Sequence, residues 1–474
     1  MRALILLLLT IRISISATVN WTNTVGLDSA PYGPGDTVML WGTFTNKYTI
    51  TNSGTAGSPI TFAFASGAKF SKPTFTTGAI AVNAKSNITI LNGFIECTDN
   101  GTALGNQVDS IGIDAYTGGG SMNLVISNMT VTNMYMRTYK SASDGNRYGV
   151  GINLGAWNGL WIMDCNLSDG DTMIGGAALN GQTMTNVFLI RNTILQCNHG
   201  MSIGTAGGAA SAWIKSVVVA SNRVDRLDYW DNHSNLHLDG FIFFHEATAG
   251  GFKDWAIYAN EIGPNIGITN TAAIFMPVYA NAAGDNIQIY NNLFTAAAGY
   301  SWNNGHVVLG YCTNSAIFNN TFYQNDRTGI GLKVSYGELA VSNNIFYNTG
   351  IAVYISGATL ADFGGFIDYN VYYGSPALQF QVPLGQDTFA QWKSETGFDS
   401  NSITNQPLLD ANYIPTSADT AAKNTGQNLS AWFTTDKNGV IRSDWYAGAF
   451  EFVPNQPSIG VTISTGIPNS KVDF

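Results

Sequence analysis

Charge is scarce in this 474-residue chain: 11% of its residues are Asp, Glu, Lys or Arg, while 45% are hydrophobic. Disordered chains have the opposite balance, so a folded protein is expected. Basic residues are the scarcer sign, 21 against 31 acidic, for a net charge of −10. That excludes nonspecific nucleic-acid binding, which needs a basic surface to displace counterions. It also disfavours a bare polyuronate as partner unless a cation or a local basic patch intervenes. Four cysteines are too few for a disulfide framework in so long a chain. Cys97, Cys165 and Cys312 are expected to be small core hydrophobes. Proline is rare, 13 residues beside 52 glycines, which rules out a collagen-like chain.

Long apolar runs are also missing. Met1 and Arg2 precede an apolar stretch over residues 3–10, and small residues follow at Ser14, Ser16 and Ala17. This is the order of a secretory signal over residues 1–16, too short to span a bilayer. Its removal takes away Arg2 and Arg12, so 19 basic against 31 acidic residues leave −12. No later apolar run reaches the ~18 residues of a membrane span. A secreted or cell-surface protein is the expectation.

What is present is a repeat. A short apolar stretch, an Asn, a variable residue and another apolar residue recur at Asn92, Asn128, Asn192, Asn222, Asn260, Asn292, Asn320, Asn344 and Asn370, with Cys165 in one slot. Runs such as Ile287-Gln288-Ile289-Tyr290 alternate with period two, and no 3.6-residue period is sustained. About 30 residues per repeat, each with two or three short strands, predicts a parallel β-solenoid. About ten rungs at ~4.8 Å give a rod of roughly 45–50 Å. Asn suits such turns because it tolerates the left-handed conformation, and its amide can bond the Asn above and below.

These segments resemble the secreted right-handed parallel β-helix proteins of the pectin-lyase-like superfamily. Residues 34–38 and 53–61 look like their first rungs, and Phe389-Ala390-Gln391-Trp392, residues 410–413, Asp436-Lys437-Asn438-Gly439 and residues 448–451 look like their C-terminal part. The resemblance implies the fold and leaves the activity open, because glycosidases, lyases, epimerases and inert spikes share it. The organisation then reads as a signal (1–16), an N-terminal cap with first strands (17–83), the regular β-helix (84–375), a C-terminal capping segment (376–455) and a flexible tail (456–474). A polar cap is needed because an open solenoid end is an unpaired edge.

Chemistry-bearing residues concentrate in one region. Residues 223–246 hold Arg223, Asp225, Arg226, Asp228, Asp231, His237, Asp239, His245 and Glu246. The loop there is longer than a tight turn needs, and long loops on rigid scaffolds carry function. Aligning the strands after each Asn turn puts Asp171, His199 and Asp239 in one column. Asp171 and Asp239 would stand two rungs apart, roughly 9–10 Å, against the ~6.5–9.5 Å carboxyl separation of inverting glycosidases. A one-residue slip would turn Asp171 inward. Residues 198–204, around His199, also look like the Gly-His-Gly segment of polygalacturonases, with Asp169-Gly170-Asp171 one rung earlier where that family has an Asp pair. The sequence departs from that family at Tyr148-Gly149, and residues 241–244 lack its Arg-x-Lys substrate clamp.

The same residues admit other uses. Arg223, Arg226, Tyr229, Trp230, His237, His245 and Glu246 are candidate substrate contacts, the aromatic rings as walls for sugars. Asp225, Asp228 and Asp231 could hold Ca²⁺ through oxygen, although the regular calcium-loop spacing is absent. Cys197, His199, His237 and Asp239 could face one side as metal ligands. Three functions follow: a glycan hydrolase with Asp171 and Asp239 as acid and base; a polysaccharide lyase using Arg223, Arg226 or His237 with Ca²⁺; or a non-catalytic glycan-binding or structural rod. A polysaccharide is the expected partner in the first two.

Overall fold

The structure, a computed structural model, describes residues 17–22, 32–98, 110–116, 120–134, 149–179, 181–206, 211–227, 238–247, 249–266, 270–277, 283–300, 302–325, 329–335, 337–357, 359–374, 379–383 and 385–452. It is a parallel β-helix. Thirteen strands, from Thr18–Thr22 to Phe366–Asp368, stack in chain order into a first sheet, each parallel to the next. At ~4.8 Å per strand the rod is about 60 Å long. Three of those strands, Thr18–Thr22, Thr37–Trp41 and Ile60–Phe64, belong to the stretch expected to hold the N-terminal cap and first strands. They carry no turn asparagine, so a count based on that residue stops near ten.

After each first-sheet strand the chain turns into a short strand of a second sheet, bends again, and runs along a third face before returning. The inward side chains form one continuous apolar core, including Ile126, Ile162, Leu189, Val219, Ile257, Ile289 and Ile317 on successive first-sheet strands. Cys97, Cys165, Cys197 and Cys312 are all buried free thiols. Burial pushes the thiol of Cys165 up to about 12, so it stays protonated.

The turn asparagines do two jobs in two adjacent columns. The left-handed residues are Asn92, Asn128, Asp164, Arg191, Ser221, Ala259, Asn291, Asn319, Asn343 and Tyr369. The buried ladder is one residue later. Asn192 Nδ2 donates to Asn222 Oδ1 at 3.0 Å, and the same bond runs from Asn222 to Asn260, Asn260 to Asn292, Asn292 to Asn320, Asn320 to Asn344 and Asn344 to Asn370. Each Oδ1 also accepts the backbone N–H of the preceding ladder residue, as in Asn222 N to Asn260 Oδ1 at 2.9 Å. Each Nδ2 reaches back to a carbonyl, as in Asn260 to Val219 O at 2.8 Å. The repeat therefore joins two columns: Asn92 and Asn128 occupy the left-handed one, and Gly93 and Met129 stand where the ladder would continue. Cys165 N donates to Asn192 Oδ1 at 3.1 Å, and the amide ladder ends there.

The far end is closed by the helix Phe389–Thr396. Thr388 caps it reciprocally with Gln391, and Gly397 ends it in the left-handed conformation. Its Trp392 ring stacks on Phe380 at 5.0 Å. Trp392 Nε1, Tyr372 OH, Ser402 Oγ and Asn370 Nδ2 all donate to the buried Asp399 carboxylate. Beyond Asp399 the chain does more than cap: it runs back along the rod as a strap. Gln427 O, Tyr446 O and Thr435 O accept from Asn343, Asn319 and Asn291. Leu429, Trp432, Phe433 and Trp445 cover Val218, Ala256, Tyr258, Tyr290 and Ala316. The strap is locked by a fully buried ion pair, Arg442 to Glu451 at 3.2 Å, and Arg442 also donates to Asn291 Oδ1 at 2.7 Å. Among the described residues no helix is long and apolar enough to cross a membrane.

Two outcomes test this account. Asn260→Ala removes the acceptor of the Asn222 N–H and of one Asn222 amide hydrogen, and the amide donor to Val219 O, all in the core, so equilibrium urea unfolding should show a loss of about 2–4 kcal/mol. Burial raises Asp399 to about 6, against the pull of its four donors. Its folded affinity for a proton thus exceeds the unfolded one, and its contribution to stability is lost as pH rises from about 4 through about 6. The stability difference between wild type and Asp399→Asn should therefore shift against the wild type across that window; a constant difference would contradict the buried acid.

Candidate functional site

Most rungs break at the corner between the second-sheet strand and the third face. Residues 133–149 separate Thr130–Thr132 from Val150–Leu154, and residues 226–237 separate Arg223–Asp225 from Leu238–Ile242. The two rungs between do not break. Asn166–Ala178 and Thr193–Thr205 each run unbroken around the corner as 13-residue strands. They bend at Asp169 and Gln196, both left-handed with φ 57°. The candidate site lies on the outer face just past this bend, between the attachment points of two long connections.

His199 and Asp239 are directly in register on neighbouring strands. Their column continues through Thr172 and Val150 in one direction and Ala272 in the other. His199 Nε2 lies 3.7 Å from Asp239 Oδ2, an ion-pair contact longer than a formed hydrogen bond. Asp239 is fully buried, while His199 keeps 9% of its surface. The pairing slips between Leu238 and Asp239, and the N–H of Ala272 donates to Asp239 Oδ1 at 3.0 Å. The irregularity of the strand thereby fixes the carboxylate, and the carboxylate faces the imidazole.

Asp171 does not join this column, which corrects the expected alignment. Thr172, not Asp171, pairs with His199. The N–H groups of Asp171 and Thr172 both converge on Gly149 O, at 2.9 and 3.1 Å. Two donors on one carbonyl mark a bulge, and a bulge shifts the register by one residue. Asp171 is buried, and its carboxylate accepts from Asn198 Nδ2 at 2.8 Å and Thr172 Oγ1 at 3.1 Å. Its position is that of a pin across the bend. Asp169, the partly exposed carboxylate at the corner, accepts from Thr132 and Ser168 instead.

The other expected residues scatter. Cys197 points into the core rather than alongside His199, so the four-ligand metal patch does not form. The Asp225 carboxylate is filled by Arg223 Nη2 at 2.9 Å, Arg226 N at 2.9 Å and Asn265 N at 3.0 Å, a loop anchor rather than an open cation ligand. Among the described residues no three metal-ligating side chains gather. Arg223 also reaches Glu261 at 3.7 Å, and Arg226 is exposed. His245 is buried, shares a 2.7 Å hydrogen bond between Nδ1 and Thr205 Oγ1, and is held neutral by burial, so it is not a surface contact. Glu246 beside it is exposed. Asp228, Tyr229, Trp230, Asp231 and His237 lie outside the described residues.

Chemically, the column offers one imidazole oriented by one buried carboxylate, with Thr172 beside it. Such a pair can take or give a proton at a reacting carbon or oxygen on the outer face. What sequence reasoning missed was the bulge at Asp171; its only visible signal is the Gly170 before it, which allows the backbone irregularity.

No family model matches the chain. Uncharacterized protein YwoF of Bacillus subtilis (strain 168) is 24% identical over 416 residues, 79% of this chain and 81% of that protein. Among solved structures, a mannuronic acid specific polysaccharide family 6 lyase from human gut microbiota superposes with a TM-score of 0.39 at 12% identity, covering 80% of this chain and 94% of that one. GH136 lacto-N-biosidase from Eubacterium ramulus gives 0.37 at 11% identity, covering 82% and 67%.

The pinning role of Asp171 is measurable. Asp171→Ala should cost about 1–3 kcal/mol in urea unfolding by stranding the Asn198 amide. No loss would contradict that role.

Proposed function

We propose that this protein is a secreted carbohydrate-active enzyme that cleaves a polysaccharide on the outer face of the third strand layer, with His199 moving the proton and Asp239 orienting it. The observation that supports this best is the in-register His199–Asp239 pair, its carboxylate buried and pinned by the Ala272 N–H. A buried acid facing a partly exposed imidazole has no packing purpose that an apolar pair would not serve better. Substrate would lie across the two unbroken rungs, with Asp169 and Gln196 at the corner and Arg226 beyond them.

Two reaction classes fit a proton-transfer centre of this kind. Hydrolysis is favoured by the negative charge of the chain, which repels polyuronates. It requires a second acid or base besides this pair, and Asp171 is committed to the bend. Elimination is favoured by the single oriented base, and it would need Arg226 or a bound cation to neutralise a uronate carboxylate.

The test incubates residues 17–474 with neutral and acidic polysaccharides and reads both reducing ends and unsaturated-uronate absorbance. Cleavage is expected, falling about 10²–10⁴-fold in His199→Ala and Asp239→Asn with the fold retained by circular dichroism. Reducing ends without unsaturation assign hydrolysis; unsaturation assigns elimination. A folded protein that cleaves nothing, or variants as active as wild type, would remove this reading.

A further inference from the structure

Away from the His199–Asp239 column, the strap and the rod enclose a cleft of about 290 Å³. That volume is at the small end of ligand sites, suited to a single sugar ring rather than a large ligand. One wall is a tyrosine stack on successive rungs: Tyr323 lies on Tyr347 at 4.7 Å. Tyr413 of the strap meets Tyr323 in a T-shaped contact at 4.8 Å and extends the same aromatic wall. Asn325, Gln406 and Asp410 complete the polar lining, and among the described residues no Lys or Arg contributes. Gln406 Nε2 donates to Tyr347 OH at 3.1 Å, tying strap to stack.

The local backbone is bent to place Tyr413 there. Tyr413 has φ 64°, a left-handed conformation that a bulky aromatic residue adopts at a cost. Asp410 holds that turn, its Oδ1 accepting from Asn412 N at 2.8 Å and Ile414 N at 2.9 Å. Tyr413 also packs against Leu293, Ala449 and Phe450, so the turn docks the strap on the rod as well as presenting a ring to the cleft. Burial raises the Tyr323 and Tyr413 phenols, which keeps both neutral and able to donate.

We infer that this cleft is a binding site for a neutral saccharide ring, with Tyr323 and Tyr413 against an apolar face and Asn325, Gln406 and Asp410 bonding its hydroxyls. Aromatic rings with a polar tip suit a ligand that is itself apolar on its faces and polar at its rim. Among the described lining residues the one charged group is the Asp410 carboxylate, which disfavours phosphate and uronate as occupants. Tyr323 shares its column with Asp225, three rungs away through Gly263 and Thr295, so the cleft lies about 15 Å along the rod from the rung that carries Asp239. It does not depend on the cleavage reading, since a rod that only binds glycans could use it equally.

The experiment is calorimetric titration of the full chain in the His199→Ala background, so that no probe is consumed. The probes are cellohexaose, xylohexaose, mannohexaose and hexamannuronate. At least one neutral hexasaccharide should bind, with Kd rising about tenfold in both Tyr413→Ala and Asn325→Ala, and with thermal melting unchanged in Asn325→Ala. Hexamannuronate should give no response that these two substitutions alter. The inference is overturned if no neutral hexasaccharide binds, or if both variants bind as tightly as their parent. Asn325 is exposed, so its variant carries the test if Tyr413→Ala unfolds. Cleavage by the wild type is assayed separately: cleavage with an inert cleft sinks only the cleft, and binding without cleavage sinks only the enzyme reading.

Discussion

The buried asparagine ladder is the constraint on which the C-terminal two-thirds of the rod depends. A parallel β-helix has no local turn chemistry to fix its register, because consecutive strands of one sheet are separated by a whole circuit of chain. From Asn192 to Asn370 each carboxamide is bonded above, below and to the backbone, so every rung is indexed to its neighbours by the same group. A slip of one residue in any rung would strand several buried donors at once, which costs far more than a mismatched apolar contact. Stacked aromatic rings repeat the message in the core, Phe294 on Phe322, Phe322 on Phe346 and Phe346 on Tyr372.

The candidate site lies near the start of that ladder, on the rungs indexed by Cys165, Asn192 and Asn222. Rigid indexing on one side of each rung permits irregularity on the other. The bulge at Asp171–Thr172 and the slip at Leu238–Asp239 displace the outer face without disturbing the turn asparagines. That is how the same stacking that gives plain structural columns elsewhere can here oppose an acid to an imidazole.

Much of the fold was legible in the sequence because its stabilising element repeats: a turn motif every 24–38 residues, with Asn in every slot but that of Cys165, shows even without a strict period. What the repeat could not show was that two adjacent columns were being read as one, since Asn satisfies the left-handed turn as readily as the ladder. His199 and Asp239 were aligned in one column, as their register shows, because both directly precede well-patterned strand segments. Asp171 was misplaced because a bulge changes register without changing residue types. The strap was read only as a cap, and the reason is physical: it is bound by single, unrepeated contacts such as Arg442 to Glu451 and Asn343 to Gln427, which leave no periodic trace.

The strap also orders events during synthesis. Residues 427–446 cover Val218, Ala256, Tyr258, Tyr290 and Ala316, side chains made more than a hundred residues earlier. A ribosome releasing the chain from its N-terminus therefore exposes a growing apolar flank that its own sequence cannot yet hide. Rungs can stack as they emerge, because each contacts only its neighbours. Their flank remains open to other nascent chains until the last stretch arrives, and a chain truncated before residue 427 would carry that adhesive surface permanently.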